Sequence, residues 1–160
     1  MRILVCVVLI ALVRCTAAAA EPFVVVVRHA EKASKGGNDP DLTPAGKKRA
    51  DALAAMLKDS QIVAIFTSEF KRTQETAAPA AKMFGITPTT VSGVDTAALV
   101  AKLRRLKGNA LVVGHTNTIP DLVRVLGIDA SIHIPETDYG SIFVVTLGHK
   151  PQLLRLRYEH

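Results

Sequence analysis

One α/β domain built as a three-layer sandwich is the fold class this sequence predicts: a mostly parallel sheet with helices on both faces and an antiparallel hairpin at one edge. Three observations predict it. Strand-like and helix-like segments alternate as βαβαβαβα before two closing strands, and strands separated by helices pair in parallel. The first strand, Phe23 to Val27, is an unbroken run dominated by β-branched residues, as expected of a strand covered on both faces. The chain has 160 residues, 49% of them hydrophobic, which suffices for one core and is short for two.

The first twenty residues are set apart from that domain. Arg2 precedes an apolar run, Ile3 to Val13, and Ala18-Ala19-Ala20 follows as a small-residue cleavage site. This is the pattern of a secretory signal peptide over residues 1–20. The apolar run is too short to cross a bilayer, which takes about 20 residues, so no stable membrane insertion is expected after cleavage. Cys15 raises the question of a lipid anchor, but Arg14 before it suits that poorly. Cleavage after Ala20 leaves residues 21–160 as the mature, exported domain, periplasmic or secreted. Cys6 and Cys15 leave with the signal, so no thiol remains to misoxidise in an oxidising compartment. Arg2 and Arg14 leave too, lowering the net charge from +6 to +4. That excess is a weak signal for nucleic acid, and with no Trp and 4% aromatic residues a base-stacking platform is hard to build.

Each later element has its own signals. Lys32 to Asp41 is a polar Gly-, Asp- and Lys-rich loop, read as solvated. Thr43 is an N-cap and Pro44 the first residue of a helix whose stripe is Ala50, Leu53, Ala54 and Leu57. Ile62 to Thr67 is the second strand. Ser68 is read as the N-cap of a helix that runs to Phe84 and ends at Gly85. Thr87 to Val91 is the third strand, and Asp95 precedes a helix with Leu99, Leu103 and Leu106 on one face. Ala110 to Gly114 is the fourth strand, followed by a helix from Thr118 to Leu126 that stops at Gly127. Ser141 to Leu147 and Gln152 to Arg157 flank the turn Gly148 to Pro151.

In such sheets ligands bind beyond the carboxyl ends of the strands. Strand one ends in Arg28-His29, strand four in Gly114-His115, and the helix after strand two carries Arg72. Two histidines and two arginines therefore converge. An arginine fork matches two phosphate oxygens and stays charged at any relevant pH. Arg72 sits early in its helix and leans back over the N-terminus, itself a favourable place for an anion. A neutral histidine attacks phosphorus through one ring nitrogen when the other is hydrogen-bonded, and a second histidine donates to oxygens as charge builds.

These residues resemble the histidine phosphatase superfamily, in its phosphoglycerate mutase-like branch, which includes short bacterial phosphohistidine phosphatases. Val27-Arg28-His29-Ala30-Glu31-Lys32 looks like the Arg-His-Gly motif that opens the family, with Ala30 in place of glycine. Leu42 to Gly46, Thr67 to Ala77 and Val112 to Asn117 match in order, and the resemblance covers nearly all of Glu21 to Arg157. It implies that His29 is the nucleophile that becomes phosphohistidine. It implies further that Arg28 and Arg72 hold the phosphate, that His115 completes the pocket, and that neither metal nor organic cofactor is used. The implied partner is a small phosphorylated substrate or a phosphohistidine protein.

The general acid is less plain. Asp95 is the nearest acidic residue after strand three, yet its place directly before Thr96-Ala97-Ala98-Leu99 also suits a helix N-cap. Without an acid there, activated phosphates are preferred over sugar monoesters. Glu75 is read as pairing with a basic neighbour at helical spacing, and Glu31 as exposed, with an approach to the pocket as its alternative. Lys32 in the loop, and Asn117 with Thr116 after strand four, are candidates to touch substrate. Tyr139 lines the pocket mouth or packs beside it. His133, His149 and His160 form no spaced set and read as surface residues. Two other functions fit the same residues. A phosphate- or polyanion-binding module needs donors but no nucleophile, and a phosphomutase would lack its cytoplasmic substrates after export.

Overall fold

Short apolar runs pair into a six-stranded mixed sheet in the computed structural model, which describes residues 21–93 and 95–159. The expected signal peptide, both cysteines and His160 lie outside the described residues. In chain order the elements are β1 (Phe23–Arg28), α1 (Pro44–Leu57), β2 (Ile62–Thr67), α2 (Lys71–Phe84), β3 (Thr89–Thr90), α3 (Thr96–Leu103), β4 (Asn109–Gly114), α4 (Ile119–Val125), β5 (Ser141–Thr146) and β6 (Leu153–Arg157). The strand order is β3-β2-β4-β1-β5-β6. The first four strands run parallel, and β5 and β6 close the sheet as an antiparallel hairpin beside β1.

The valine run explains why β1 is central. Side chains alternate between the faces of a strand, and both faces here are covered. Val24 and Val26 pack with Val100 and Leu103 of α3 and with Ile119, Leu122 and Val123 of α4. Val25 and Val27 pack with Leu53, Ala54 and Leu57 of α1 and with Ala77, Ala80 and Ala81 of α2. All four valines are buried, and each such burial is worth roughly 1.5–3 kcal/mol over exposure. The three-layer arrangement follows: α1 and α2 on one face, α3 and α4 on the other.

Helix α1 starts where its sequence signals place it. Thr43 Oγ1 accepts the Gly46 N–H at 3.0 Å, and Pro44 occupies the first turn. The same threonine ties the helix to the end of β1, since its backbone N–H and its hydroxyl both donate to Glu31 O, at 2.8 and 3.2 Å. Gly46 is required by that closeness, because a Cβ there would strike the Glu31 carbonyl. Backbone cannot swing aside as a side chain can. Gly46→Ala is therefore expected to lower stability by roughly 1–3 kcal/mol, seen as a lower urea midpoint.

Three elements differ from the sequence reading. Helix α2 begins at Lys71 rather than after Ser68, with Phe70 at the cap position making no side-chain bond. Its first N–H finds Asp39 instead, whose Oδ1 accepts from Lys71 at 2.9 Å. The loop that supplies Asp39 is thereby pinned against the helix, aided by the ion pair of Asp41 with Lys71. Strand β3 shrinks to two residues, because Pro88 has no N–H to offer the ladder. Helix α3 ends at Leu103, leaving Leu106 beyond it but still against the core. Gly85, at φ +66°, stops α2 as expected.

Candidate active site

Strand register brings the two histidines together. In the β1–β4 pair Arg28 lies opposite Gly114, and the next N–H along, that of His29, donates to Gly114 O at 3.0 Å. His29 and His115 each follow the paired residues, so their rings meet with centroids 5.4 Å apart. Both are buried, His29 at 4% exposure. They lie in a cavity of about 470 Å³ shared with Arg28, Lys32, Glu69, Phe70, Arg72, Thr116, Asn117 and Glu136. A larger groove between α1 and α2, of about 820 Å³, is lined by Lys47, Asp51, Glu75 and Lys82 and holds neither histidine nor arginine.

The protonation pattern of His29 is fixed by geometry. Its Nδ1 lies 2.8 Å from Ala30 O, and a carbonyl can only accept, so Nδ1 carries the hydrogen. In the neutral ring Nε2 is then the bare nitrogen. The ring stays neutral because burial, foremost, lowers its pKa from 6.5 to about 4. The Ala30 bond opposes that shift, and the charges of Arg28 and Arg72 add to it. His115 is lowered to about 4 as well, chiefly by burial and then by Arg72, against a raising influence from Glu69. Ser68, which the sequence suggested as a cap, instead contacts His115, its Oγ 2.8 Å from Nε2. When Ser68 donates there, His115 holds its proton on Nδ1, available to an acceptor.

Both arginines are held in place yet keep a donor. Arg28 Nη1 donates to the carbonyls of Pro135, Glu136 and Asp138 at 3.2, 2.6 and 3.3 Å, and Nη2 to Glu136 Oε2 at 2.6 Å. Its guanidinium stacks over Tyr139 at 4.4 Å. Arg72 sits in the first turn of α2, stacks over Phe70 at 4.1 Å, and has Asp39 3.9 Å away. The Nε of each arginine is buried without a protein partner, as is Thr116 Oγ1. Two buried cationic donors without acceptors in one cavity suit an anion. Thr76 braces the pair: its Oγ1 accepts Ala30 N–H at 2.9 Å and donates to Arg72 O at 2.7 Å.

Arg28, His29, Arg72 and His115 thus converge as the sequence suggested, and Lys32 and Asn117 stand exposed at the cavity wall. Asp95 does not join them. Its Oδ1 accepts Ala98 N–H at 2.8 Å as the N-cap of α3, and it lines a small adjoining cavity with His115 and Ser68 but not the one that holds both histidines. Asp95→Ala is expected to cost about 1 kcal/mol of stability by urea titration and to leave phosphate turnover unchanged. Glu75 accepts Leu42 N–H at 2.8 Å rather than pairing with a basic neighbour. Glu31 is half-buried in an ion pair with Arg49 at 2.7 Å, not exposed. His133 and His149 are on the surface. Among the described residues no group of His, Cys, Asp or Glu is arranged to hold a metal ion.

Two cavity residues had no role in the sequence reading. Glu69 Oε2 accepts Gly93 N–H at 2.9 Å, and hydrogen bonds from its own N–H and that of Gly93 keep its carboxyl below the usual range. Glu136, before β5, reaches Arg28 from a loop without periodicity.

The fold and site together define an α/β enzyme of phosphoryl chemistry. Residues 24–96 match the model of the histidine phosphatase superfamily (branch 1). The matched stretch carries Arg28, His29 and Arg72 and makes up a little under half of the chain. A search of curated protein sequences finds no match. Among solved structures it is similar to a mycobacterial glucosyl-3-phosphoglycerate phosphatase in complex with inorganic phosphate, at 17% identity and a TM-score of 0.70, covering 88% of this chain and 98% of that one. It is also similar to the protein histidine phosphatase SixA in complex with tungstate, at 19% identity and a TM-score of 0.68, covering 84% and 96%. At such identities the likeness is one of fold.

Proposed function

We propose that this protein is an exported phosphatase that passes the phosphoryl group of a small phosphorylated substrate, or of a phosphohistidine protein, to His29 Nε2 and then to water. The observation that carries this reading is the locked His29 ring: Nδ1–H bound to Ala30 O, Nε2 bare, and two arginines with unpartnered Nε–H groups beside it. An incoming phosphate gains charge-assisted bonds from Arg28 and Arg72. Nε2 attacks phosphorus as the bond to the leaving oxygen breaks, giving a covalent intermediate. His115 donates to the equatorial oxygens as their charge grows. Water then attacks phosphorus, and the N–P electron pair returns to Nε2.

The direct test is rapid quench of the mature protein with ³²P-labelled acetyl phosphate or nitrophenyl phosphate. Acid-labile, base-stable label is expected on the unmodified protein and none on His29→Ala. A folded, unmodified protein that neither takes up label nor hydrolyses any phosphate would defeat the reading. Export is supported by residues 1–20, and the N-terminus of the protein recovered outside the cytoplasm is expected to be Glu21.

A further inference from the structure

We propose that Glu136 is the general acid of this site, protonating the leaving oxygen in the first step and taking a proton from water in the second. The inference rests on the phosphatase reading above. In the cavity lining His29 is buried and Glu136 exposed, so an in-line attack from the ring sends the leaving group outward. Two carboxylates line that cavity, Glu69 and Glu136. Glu69 is committed as an anion to the N–H of Gly93. Asp95 is occupied as a helix cap and, although it lines an adjoining cavity with His115, does not line the one that holds His29. Glu136 remains, its side chain 78% exposed at the rim while its Oε2 touches Arg28 Nη2 at 2.6 Å.

That contact puts the carboxylate where a phosphate oxygen would also bind. A phosphate and a carboxylate do not share one guanidinium corner as bare anions, and a proton held between them relieves the repulsion. A monoester arriving as its monoanion brings that proton. Displaced from Arg28 but tethered by its backbone, whose carbonyl accepts from Nη1, Glu136 stays at the rim with the proton on its carboxyl. In the first step the Nε2–P bond forms and the P–O bond breaks. Its electron pair stays on the leaving oxygen, which takes the proton from Glu136. In the second step the O–P bond to water forms and the N–P bond breaks, and the water proton returns to the carboxylate. One ester and one water give one alcohol and one phosphate.

Leaving groups of different basicity test this. Glu136→Gln keeps a hydrogen-bonding side chain beside Arg28 but has no proton to give. It is expected to slow phosphorylation of the protein by glycerol 1-phosphate, read by rapid quench, by roughly 100-fold, while phosphorylation by nitrophenyl phosphate, whose leaving group departs unaided, changes within about threefold. The nitrophenyl arm also reports that the variant is folded, and Glu136→Asp is expected to recover part of the glycerol phosphate activity. Equal losses on both substrates would show that Glu136 only positions Arg28 and would overturn the proposal. A lower KM on both with kcat unchanged would overturn it too, leaving Glu136 a mere competitor for the arginine. If the unmodified protein turned over neither substrate, the phosphatase reading would fall first and this one with it.

Discussion

Arg28→Ala is expected to lower kcat/KM for phosphate release by roughly 1,000-fold and to cost about 2–4 kcal/mol of stability. Both effects come from one guanidinium. Its Nε is a buried donor without a protein partner. Its Nη1 meanwhile satisfies the carbonyls of Pro135, Glu136 and Asp138, and its face stacks on Tyr139. Without it the turn before β5 loses its tie to the end of β1. Each carbonyl stranded by the change costs on the order of 1 kcal/mol, and the lost stacking adds to that. Arg28→Lys separates the two roles. It keeps the charge but cannot reach several carbonyls and the anion at once, so turnover is expected to stay low while stability recovers in part. Steady-state kinetics and urea unfolding on the same samples read both quantities. An alanine variant within tenfold of the unmodified kcat/KM would remove Arg28 from the phosphate site.

The double role of Arg28 shows which parts of the molecule were legible in the sequence. Arg28, His29 and His115 were legible because they follow apolar runs, and parallel pairing of those runs aligns their ends. The helices of α1 and α4 were legible from Thr43, Pro44 and Gly127. Tyr139 was legible only as a residue at or beside the pocket mouth, and Glu136 was not legible at all, because both lie in an aperiodic loop. That loop meets Arg28 only once β5 has inserted antiparallel beside β1. Ser68 was misread for a related reason. A serine before a helix is ordinarily its cap, but here Asp39 arrives from a loop distant in sequence and takes the Lys71 N–H. That leaves Ser68 Oγ for His115. Asp95 went the other way, its local capping signal matching what the side chain does. Local hydrogen-bonding patterns are readable when no distant group competes for the same donor, and Ser68 is a place where one does.

Between pH 6.5 and about 4 the folded protein is expected to lose several kcal/mol of stability, with His29 and His115 as the main source. In the fold both have pKa values lowered from 6.5 to about 4. Between those values the unfolded chain binds a proton on each ring and the folded chain does not. Stability therefore rises with pH across the window: it is complete above 6.5 and falls as the pH drops toward 4. At about 1.4 kcal/mol per pH unit, each histidine accounts for roughly 3 kcal/mol, a large share of a domain's total. Urea unfolding at pH 7 and pH 4.5 is expected to show this drop in the unmodified protein. His29→Gln should halve it, and the double variant with His115→Asn should nearly abolish it. A double variant as acid-sensitive as the parent would place the sensitivity elsewhere. The same neutrality serves catalysis, since kcat/KM reports the free enzyme and its acid limb should fall near pH 4 rather than near 6.5. Phosphate ties the two effects together. An anion between Arg28, Arg72 and the rings offsets the positive charges that, after burial, help to keep them neutral, so inorganic phosphate at pH 5 is expected to restore part of the stability. When His29 and His115 are both replaced, the restoration should shrink to what phosphate binding to the two arginines alone supplies, because the proton it draws in has nowhere left to bind.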